Sequence, residues 1–565
     1  MKLVECVPNF SEGRDGAKIK AITDAIESVD GITLLDVDPG ADTNRTVVTF
    51  VGSPNAVAEA AFQGIKAAAD VIDMSKHKGA HPRMGATDVC PFIPIADVSD
   101  EECIALSKSV GQRVGDDLGI PVYLYEYSAQ LPERQSLPNI RKGEYECLAE
   151  KLNDSRWHPD FGPAKFNAGA GATAVGMRDF LIAYNINLNT RDQRLATDIA
   201  FELRESGRSK RIPNPSSPNI LDGEIVRNSD GSPVKIPGMF KDVKCVGWYI
   251  DTFKRAQISI NFNNYKVSTI HDVFDAACKL ADERNIRVTG SELVGLVPLE
   301  AILMAGRHYL SKQRRTTGVP ETDLIETAVQ SLGLNDVASF VAEEKIIEYA
   351  VGKKSGELMS HTAGRFVDEL STNSPAPGGG SVAALAGALG AALSSMVAAL
   401  THEKKGFEGS KGEMESIGTE AQKIKDRLSF LVDEDTNAFN QVMAANRLSA
   451  TNNNAQKIKN ASVDTANKYA IDIPFEAATL CFRVIELAEV LVKKGNPNSV
   501  SDAGVAAEVG LSGVRGASMN VLINLAGVDD EDYCTKKRSD VQKLIDKSEN
   551  LHRKVFLHTL EKIEA

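Results

Sequence analysis

A chain of 565 residues is too long for one hydrophobic core, because single cores stop growing at about 250 to 300 residues, so it divides into several units. With 42% hydrophobic and 25% charged residues and no long biased tract, each unit can bury a core, which excludes disorder as the general state of the chain. The net charge of −13 argues against a nucleic-acid surface, which needs a concentrated basic face, yet leaves room for local cationic clusters that hold carboxylates.

From the N-terminus, residues 2–7 read as a strand, 17–29 as a helix, and 32–37 and 45–52 as strands. Ser53 followed by Pro54 marks a helix start, and 89–95 closes the pattern as a strand interrupted by Pro91 and Pro94. The order βαββαβ is that of a ferredoxin-like unit. It returns as strand 180–188, helix 193–205, strands 245–251 and 256–262, helix 273–283 and strand 286–289, with a surface loop expected over the Pro-, Gly- and Asn-rich stretch 212–240. From about residue 355 the spacing is helical, at 359–370, 382–400, 414–445, 455–469 and 474–492. The expected fold is α+β: two ferredoxin-like βαββαβ subdomains over 1–179 and 180–351, a linker at 352–358, and an all-α multihelical domain over 359–565.

The uncharged run 382–400 is long enough to span a bilayer. It carries a small-residue stripe, Ala383, Gly387, Ala391 and Ser395, beside Leu385, Leu389, Leu393 and Val397, which is the pattern of a bundle helix closely approached by others, and no membrane association is expected. The eight cysteines have neither C-x-x-C pairs nor histidines at zinc-finger spacing, and the N-terminus has no signal-peptide core, so a cytoplasmic protein with reduced thiols is expected.

Polar chemistry concentrates in DVDPGADTNR (36–45), read as a hairpin loop, and HKGAHPRMGATD (77–88). His81, kept out of a helix by Pro82, reads from the residues alone either as a surface side chain or as an acid–base group. His77 and His81 have the spacing of a helical metal pair, but Gly79 and the His-Pro step break the helix and no H-E-x-x-H motif is present, so no metal is expected. Arg45 and Arg83 flank these loops as candidate anion contacts.

The segments VPNFSEGRD (7–15), DVDPGADTNRTVVTFVG (36–52), SKHKGAHPRMGATDVCPFIP (75–94), DFGPAKFNAGAGATAVGMRDFLIAYNINL (160–188) and GSELVGLVPLEAI (290–302) resemble the glutamate formiminotransferases. The resemblance implies transfer of a formimino group from N-formimino-L-glutamate to N5 of tetrahydrofolate in histidine degradation. It also implies His81 as the catalytic histidine, oriented by Asp38. The family's folate-binding stretch falls on Gly162, Pro163, Ala164, Lys165, Phe166, Asn167, Ala168, Gly169, Ala170 and Gly171, whose glycines suit close approach of a ligand, although the residues alone fit an ordinary turn equally.

In the helical half, SPAPGGGS (374–381) opens the Ala-rich helix with Ser381 as candidate N-cap, and Gly379, Gly380 and Ser381 are candidate anion contacts or simply a tight turn. Asp435 lies on the apolar stripe of Ile424, Leu428, Leu431, Val432, Ala438, Phe439 and Val442, whereas Asp433 and Glu434 do not. A carboxylate there either caps a neighbouring helix or exchanges a proton near neutrality. The segments APGGGSVAALAG (376–387), LVDEDTNAFNQVM (431–443) and NPNSVSDAGVAA (496–507) resemble the cyclodeaminase domain of formiminotransferase-cyclodeaminases and its methenyltetrahydrofolate cyclohydrolase relatives. That implies closure of 5-formiminotetrahydrofolate to 5,10-methenyltetrahydrofolate with release of ammonia. Asp435 is assigned the proton transfers, and Asp502 is a second polar candidate.

Two alternatives stay open: a cyclohydrolase in the helical half, or an inactive folate-binding or scaffold protein. The resemblance further implies tetrahydrofolate as cosubstrate, polyglutamylated, and a homo-oligomer of dimers arranged in a ring. No dinucleotide fingerprint or phosphate loop points to a nucleotide cofactor.

Overall fold

The computed structural model of the protein describes residues 2–41, 43–79, 82–217, 219–251, 253–352, 356–450 and 452–565. The chain forms two compact units, Met1–Ala301 with Leu332–Gly352, and Ile302–Ser331 with Lys353–Ala565.

The first unit begins with β1 (Leu3–Cys6) and β2 (Asn9–Phe10), two halves of one strand interrupted at Pro8, which has no N–H to offer a ladder. They are followed by α1 (Gly16–Glu27), β3 (Ile32–Gly40), β4 (Arg45–Gly52), α2 (Pro54–Val71) and β5 (Thr87–Ala96). Asp15 caps α1 and Ser53 caps α2, each accepting backbone N–H groups of the first turn. Both β1 and β2 pair antiparallel with β4 on one side and β5 on the other, and β3 pairs with β4, which gives the ferredoxin-like order β3-β4-β1/β2-β5. The core lies between this sheet and its helices, with Val4, Cys6, Val48, Phe50 and Phe92 meeting Ile22, Ile26, Val57 and Ile65.

The structure then adds α3 (Asp100–Leu118), β6 (Val122–Leu124) and β7 (Thr173–Met177), which sequence periodicity had not marked. The β7 strand runs parallel to β5, and β6 runs parallel to β7, so the sheet continues beyond the ferredoxin-like part.

A second sheet follows from β8 (Ile182–Leu188), α4 (Gln193–Leu203), β9 (Val243–Ile250), β10 (Arg255–Phe262), α5 (Ile270–Asp282) and β11 (Val288–Val294). Its order, β9-β10-β8-β11, all antiparallel, is again ferredoxin-like, so the expected repeat is present as structure. The last strand runs to Val294, beyond the expected 289, because Ser291 and Leu293 continue the buried alternation. The 212–240 stretch lies among two short ladders, Arg208–Ser209 with Lys235–Ile236 and Arg211–Ile212 with Glu224–Ile225.

The second unit does not begin at one cut near 352–358. Helix α6 (Leu299–Lys312) runs into it, and α7 (Glu321–Leu332) also falls almost wholly within it. The connection between them is fixed by polar contacts: Thr317 N donates to Glu415 at 3.0 Å, Ser395 Oγ to Gly318 O at 3.0 Å, and Arg315 Nε to Glu403 at 3.0 Å. The remaining long elements are α8 (Ala363–Leu370), α9 (Gly379–Glu403), α10 (Lys411–Arg447), α11 (Asn453–Lys494), α12 (Val500–Asn524) and α13 (Glu531–Glu564).

Helix α9 buries its small residues: Ala383, Ala391, Ser395 and Ala398 are buried while Leu389 is 55% exposed. The small stripe, more than the leucines, is what lets α10, α11 and α12 come close. The helix is long and apolar enough to cross a membrane by length and composition, and 56% of its most apolar window is buried within the protein.

Where two helices were expected at 455–469 and 474–492, α11 is continuous through Pro474. Proline at 474 has no N–H for the carbonyl of Ala470. Asn524 on α12 donates its side-chain amide to that same carbonyl at 2.7 Å. A neighbouring helix therefore supplies the hydrogen bond that the proline withholds.

Candidate functional sites

In the first unit, the β3–β4 turn packs on the loop that follows α2. Asn44 Nδ2 donates to Lys78 O at 3.0 Å, and His77 Nε2 lies 2.9 Å from Asn44 O. Since a carbonyl only accepts, Nε2 carries the proton and Nδ1 is free to accept from Arg83 Nε at 3.3 Å. Burial lowers the pKa of His77, so it serves as a neutral brace for the loop. His81 lies outside the described residues, between the described positions 79 and 82.

Asp38 is exposed and sits within β3, opposite Val47, and is not in a hairpin loop as expected; the ladder extends to Gly40 because β4 pairs with it throughout. Arg45, half-buried, lies in the field of Asp38, Asp88 and Arg141, and its burial lowers its pKa. Asp88 is 1% exposed, pairs with Arg141 and accepts Met84 N at 2.8 Å. Its burial still raises its carboxyl above the ordinary range.

Arg83 differs from its expected role. Its guanidinium is buried and held by Glu146 at 2.6 and 2.8 Å and Glu144 at 3.0 Å, so its charge is already matched within the protein. These residues, with Lys78, Gly79 and Gly143, line an open depression of about 500 Å³.

The stretch Gly162 to Gly171 comes alongside the same loop. Met74 N donates to Gly169 O at 2.9 Å, Ala86 N to Ala170 O at 2.8 Å and Ala172 N to Met84 O at 3.2 Å. Gly171, at φ +70°, bridges Gly85 so closely that any side chain would meet the Met84 carbonyl. Asn167 closes the turn by accepting Ala170 N at 3.0 Å, Phe166 packs against Tyr145, and Pro163, Ala164, Lys165, Ala168 and Gly169 are exposed. The described residues that follow α2, 74–79 and 82–88, thus touch both the β3–β4 turn, at Asn44, and the 162–171 turn.

In the helical unit, the start of α9 abuts α10. Gly378 is the N-cap and makes no side-chain cap, so Ser381 lies inside the first turn and is not the N-cap expected. Ser381 Oγ donates to Val432 O at 2.8 Å and lies 3.5 Å from Asp435 Oδ2, and its backbone N–H also reaches the Asp435 carboxylate. Gly380 is pressed against Asp435 so closely that a methyl group there would collide with the carboxyl.

Burial pushes the Asp435 carboxyl up, and the Ser381 donors only partly oppose this. Asp435 faces a cavity of about 360 Å³, lined also by Gly379, Thr436, Phe439, Val442, Asn467, Asn520, Ile523 and Asn524. The three asparagines escaped the sequence reading because a polar residue on a helix is ordinarily a solvent-facing one. Asp433 points elsewhere and fixes the segment before α8, accepting Leu358 N at 2.8 Å and Met359 N at 3.2 Å.

Asp502 does not join this cavity. It sits in the first turn of α12, while Asn520 and Asn524 lie in its last two turns, a separation of roughly 27 Å along the axis at the ordinary helical rise.

Comparison with known proteins matches three family profiles: "Formiminotransferase domain, N-terminal subdomain" over residues 3–178, "Formiminotransferase domain" over 183–352, and "Formiminotransferase-cyclodeaminase" over 362–543. The chain is 42% identical over 547 residues to formimidoyltransferase-cyclodeaminase of Rattus norvegicus, which covers 96% of both chains. It is 40% identical over 309 residues to glutamate formimidoyltransferase of Streptococcus pyogenes serotype M1, covering 55% of this chain and 93% of that one. Over 197 residues it is 33% identical to methenyltetrahydrofolate cyclohydrolase of Methylorubrum extorquens, covering 35% of this chain and 95% of that one. The chain belongs to the formiminotransferase-cyclodeaminase family.

Proposed function

We propose that the first unit transfers the formimino group of N-formimino-L-glutamate to N5 of tetrahydrofolate, and that the helical unit closes the product to 5,10-methenyltetrahydrofolate with release of ammonia. In the first step N5 attacks the amidine carbon and loses its proton, and the C–N bond to glutamate breaks as that nitrogen is protonated. His81 carries this proton, a task suited to an imidazole near neutrality, and Asp38 orients it. The contacts of 74–79 and 82–88 with Asn44 and with the 162–171 turn support a folate site at this place.

In the second step N10 attacks the carbon of the protonated formimino group, CH=NH2+, which becomes an amino group, and gives its own proton to the Asp435 carboxylate. The same carboxyl returns a proton to the amino group, which leaves as ammonia. The observation that carries this reading is the Asp435 carboxyl, pushed up by burial and facing a cavity of about 360 Å³, within the usual size range for small-ligand sites. The likeness to a cyclohydrolase favours a second reading, in which water opens the methenyl ring at this same site. Lys165, exposed on its turn, supports a polyglutamylated cosubstrate, and Phe556, Leu557 and Ile563, exposed on α13, support a homo-oligomer of dimers in a ring. The free cysteines support a cytoplasmic location.

The test incubates the full-length protein with N-formimino-L-glutamate and tetrahydrofolate while glutamate, ammonia and methenyl absorbance are followed together. His81→Ala is expected to slow glutamate release by about 10²- to 10⁴-fold, and Asp435→Ala to stall at 5-formiminotetrahydrofolate with a similar loss of ammonia release. Glutamate without ammonia from the native protein assigns the helical unit to the cyclohydrolase reading, and neither product to a binding protein.

A further inference from the structure

The acid–base scheme leaves unused the three asparagine amides that line the helical cavity. Each has its nitrogen engaged by a backbone carbonyl: Asn467 by Gly527 O, Asn520 by Gly516 O at 2.9 Å, and Asn524 by Ala470 O at 2.7 Å. Because a carbonyl only accepts, these contacts fix the orientation of the amides and leave each Oδ1 as an acceptor. Asn520 also stands opposite the start of α9, where a methyl group on Gly379 would sit 3.4 Å from its Nδ2. The next residue, Gly380, is the one pressed against Asp435, so amide and carboxyl flank the same helix terminus.

The three Oδ1 atoms give the lining acceptor oxygens, and Phe439, Val442, Ala470 and Ile523 give it apolar surface beside them. Such a cavity suits a flat ring with several N–H groups along one edge. The reduced pteridine carries two such donors on its pyrimidine ring, the 2-amino group and N3–H, and a third, N8–H, on the adjoining reduced ring.

We propose that Asn520 and Asn467, together with Asn524, recognise the donor edge of the pteridine and position N10 and the formimino carbon beside Asp435. This rests on the reading of the cavity as the ring-closure site. Asn524 also closes the break at Pro474, so Asn520, whose amide nitrogen only returns to its own helix, is the discriminating position.

The experiment supplies 5-formiminotetrahydrofolate directly to the full-length protein and measures ammonia release, with glutamate release by the first unit as control. Asn520→Leu is expected to raise KM for ring closure about 10- to 100-fold, with the loss in kcat much smaller and glutamate release unaltered. Asn520→Asp retains acceptor oxygens and is expected to recover most of the KM. A substrate with methyl in place of the 2-amino group is expected to discriminate the proteins: the native chain disfavours it by roughly 30-fold in kcat/KM, whereas Asn520→Leu hardly distinguishes the two.

An unchanged KM in Asn520→Leu, undiminished discrimination by that variant, or failure of Asn520→Asp to recover would overturn the assignment. Asp435→Asn run alongside separates the two layers: ammonia release that survives it removes the ring-closure site from this cavity, while its loss with an indifferent Asn520 removes only the recognition role.

Discussion

Two opposing influences meet on Asp435. Donors from the first turn of α9 favour its charged form, and burial opposes that form; burial is the larger, so the carboxyl is raised. For a carboxyl whose native pKa exceeds the unfolded value, the stabilising contribution is complete below about pH 4 and is lost as pH rises through the native value. Near neutrality the ionised side chain therefore weighs against the fold. Asp435→Asn is expected to melt a few degrees higher than the native protein, roughly 2 to 4 °C at pH 7.5, with the gain vanishing towards pH 4. Melting curves at the two pH values test this, and equal melting at pH 7.5 contradicts a raised native pKa. Asp435 was legible because a carboxylate on an apolar stripe needs an explanation. Arg83 was misread because Glu144 and Glu146 lie 61 and 63 residues away, and no local pattern announces that a cation is already paired.

At the scale of elements, α11 is the clearest departure from local expectation. Proline in a helix interior removes a hydrogen bond and ordinarily ends or bends the helix. Here Asn524 occupies the vacated acceptor, an arrangement available only when α12 lies alongside. Asn524→Ala is expected to cost about 1 to 2 kcal/mol by leaving the Ala470 carbonyl unmatched. In a Pro474→Ala background the restored N–H meets that carbonyl, and the same change is expected to cost less than about 0.5 kcal/mol. Urea unfolding of the four proteins closes the cycle; equal costs in both backgrounds would break the link. The strand β5 behaves similarly at Pro91, which keeps a place in the ladder through its carbonyl, Val7 N donating to Pro91 O at 3.3 Å. Helix α3, by contrast, has a local signal in the sequence: Ser99 as N-cap and Glu102 in the first turn form a capping box.

For the whole molecule, the partition of the chain is not collinear with its sequence. Segment Ile302–Ser331 belongs with the helical unit, held there through Glu415, Glu403 and Ser395. A fragment of residues 353–565 lacks this segment and is expected to lose ring-closure activity on warming at a temperature lower by roughly 5 °C than the intact chain. Equal inactivation temperatures would mean that the segment contributes little.

The repeated βαββαβ order, the change to helices and the place of Asp435 on an apolar helix stripe follow from hydrophobic period and capping, which are local properties. Packing sets which charges are already paired, that α9 buries its small residues, that Asp502 lies far from Asp435, and that three asparagines share the Asp435 cavity. Those outcomes depend on which helices and loops become neighbours, and neighbours brought together across 50 to 150 residues leave no trace in any local spacing.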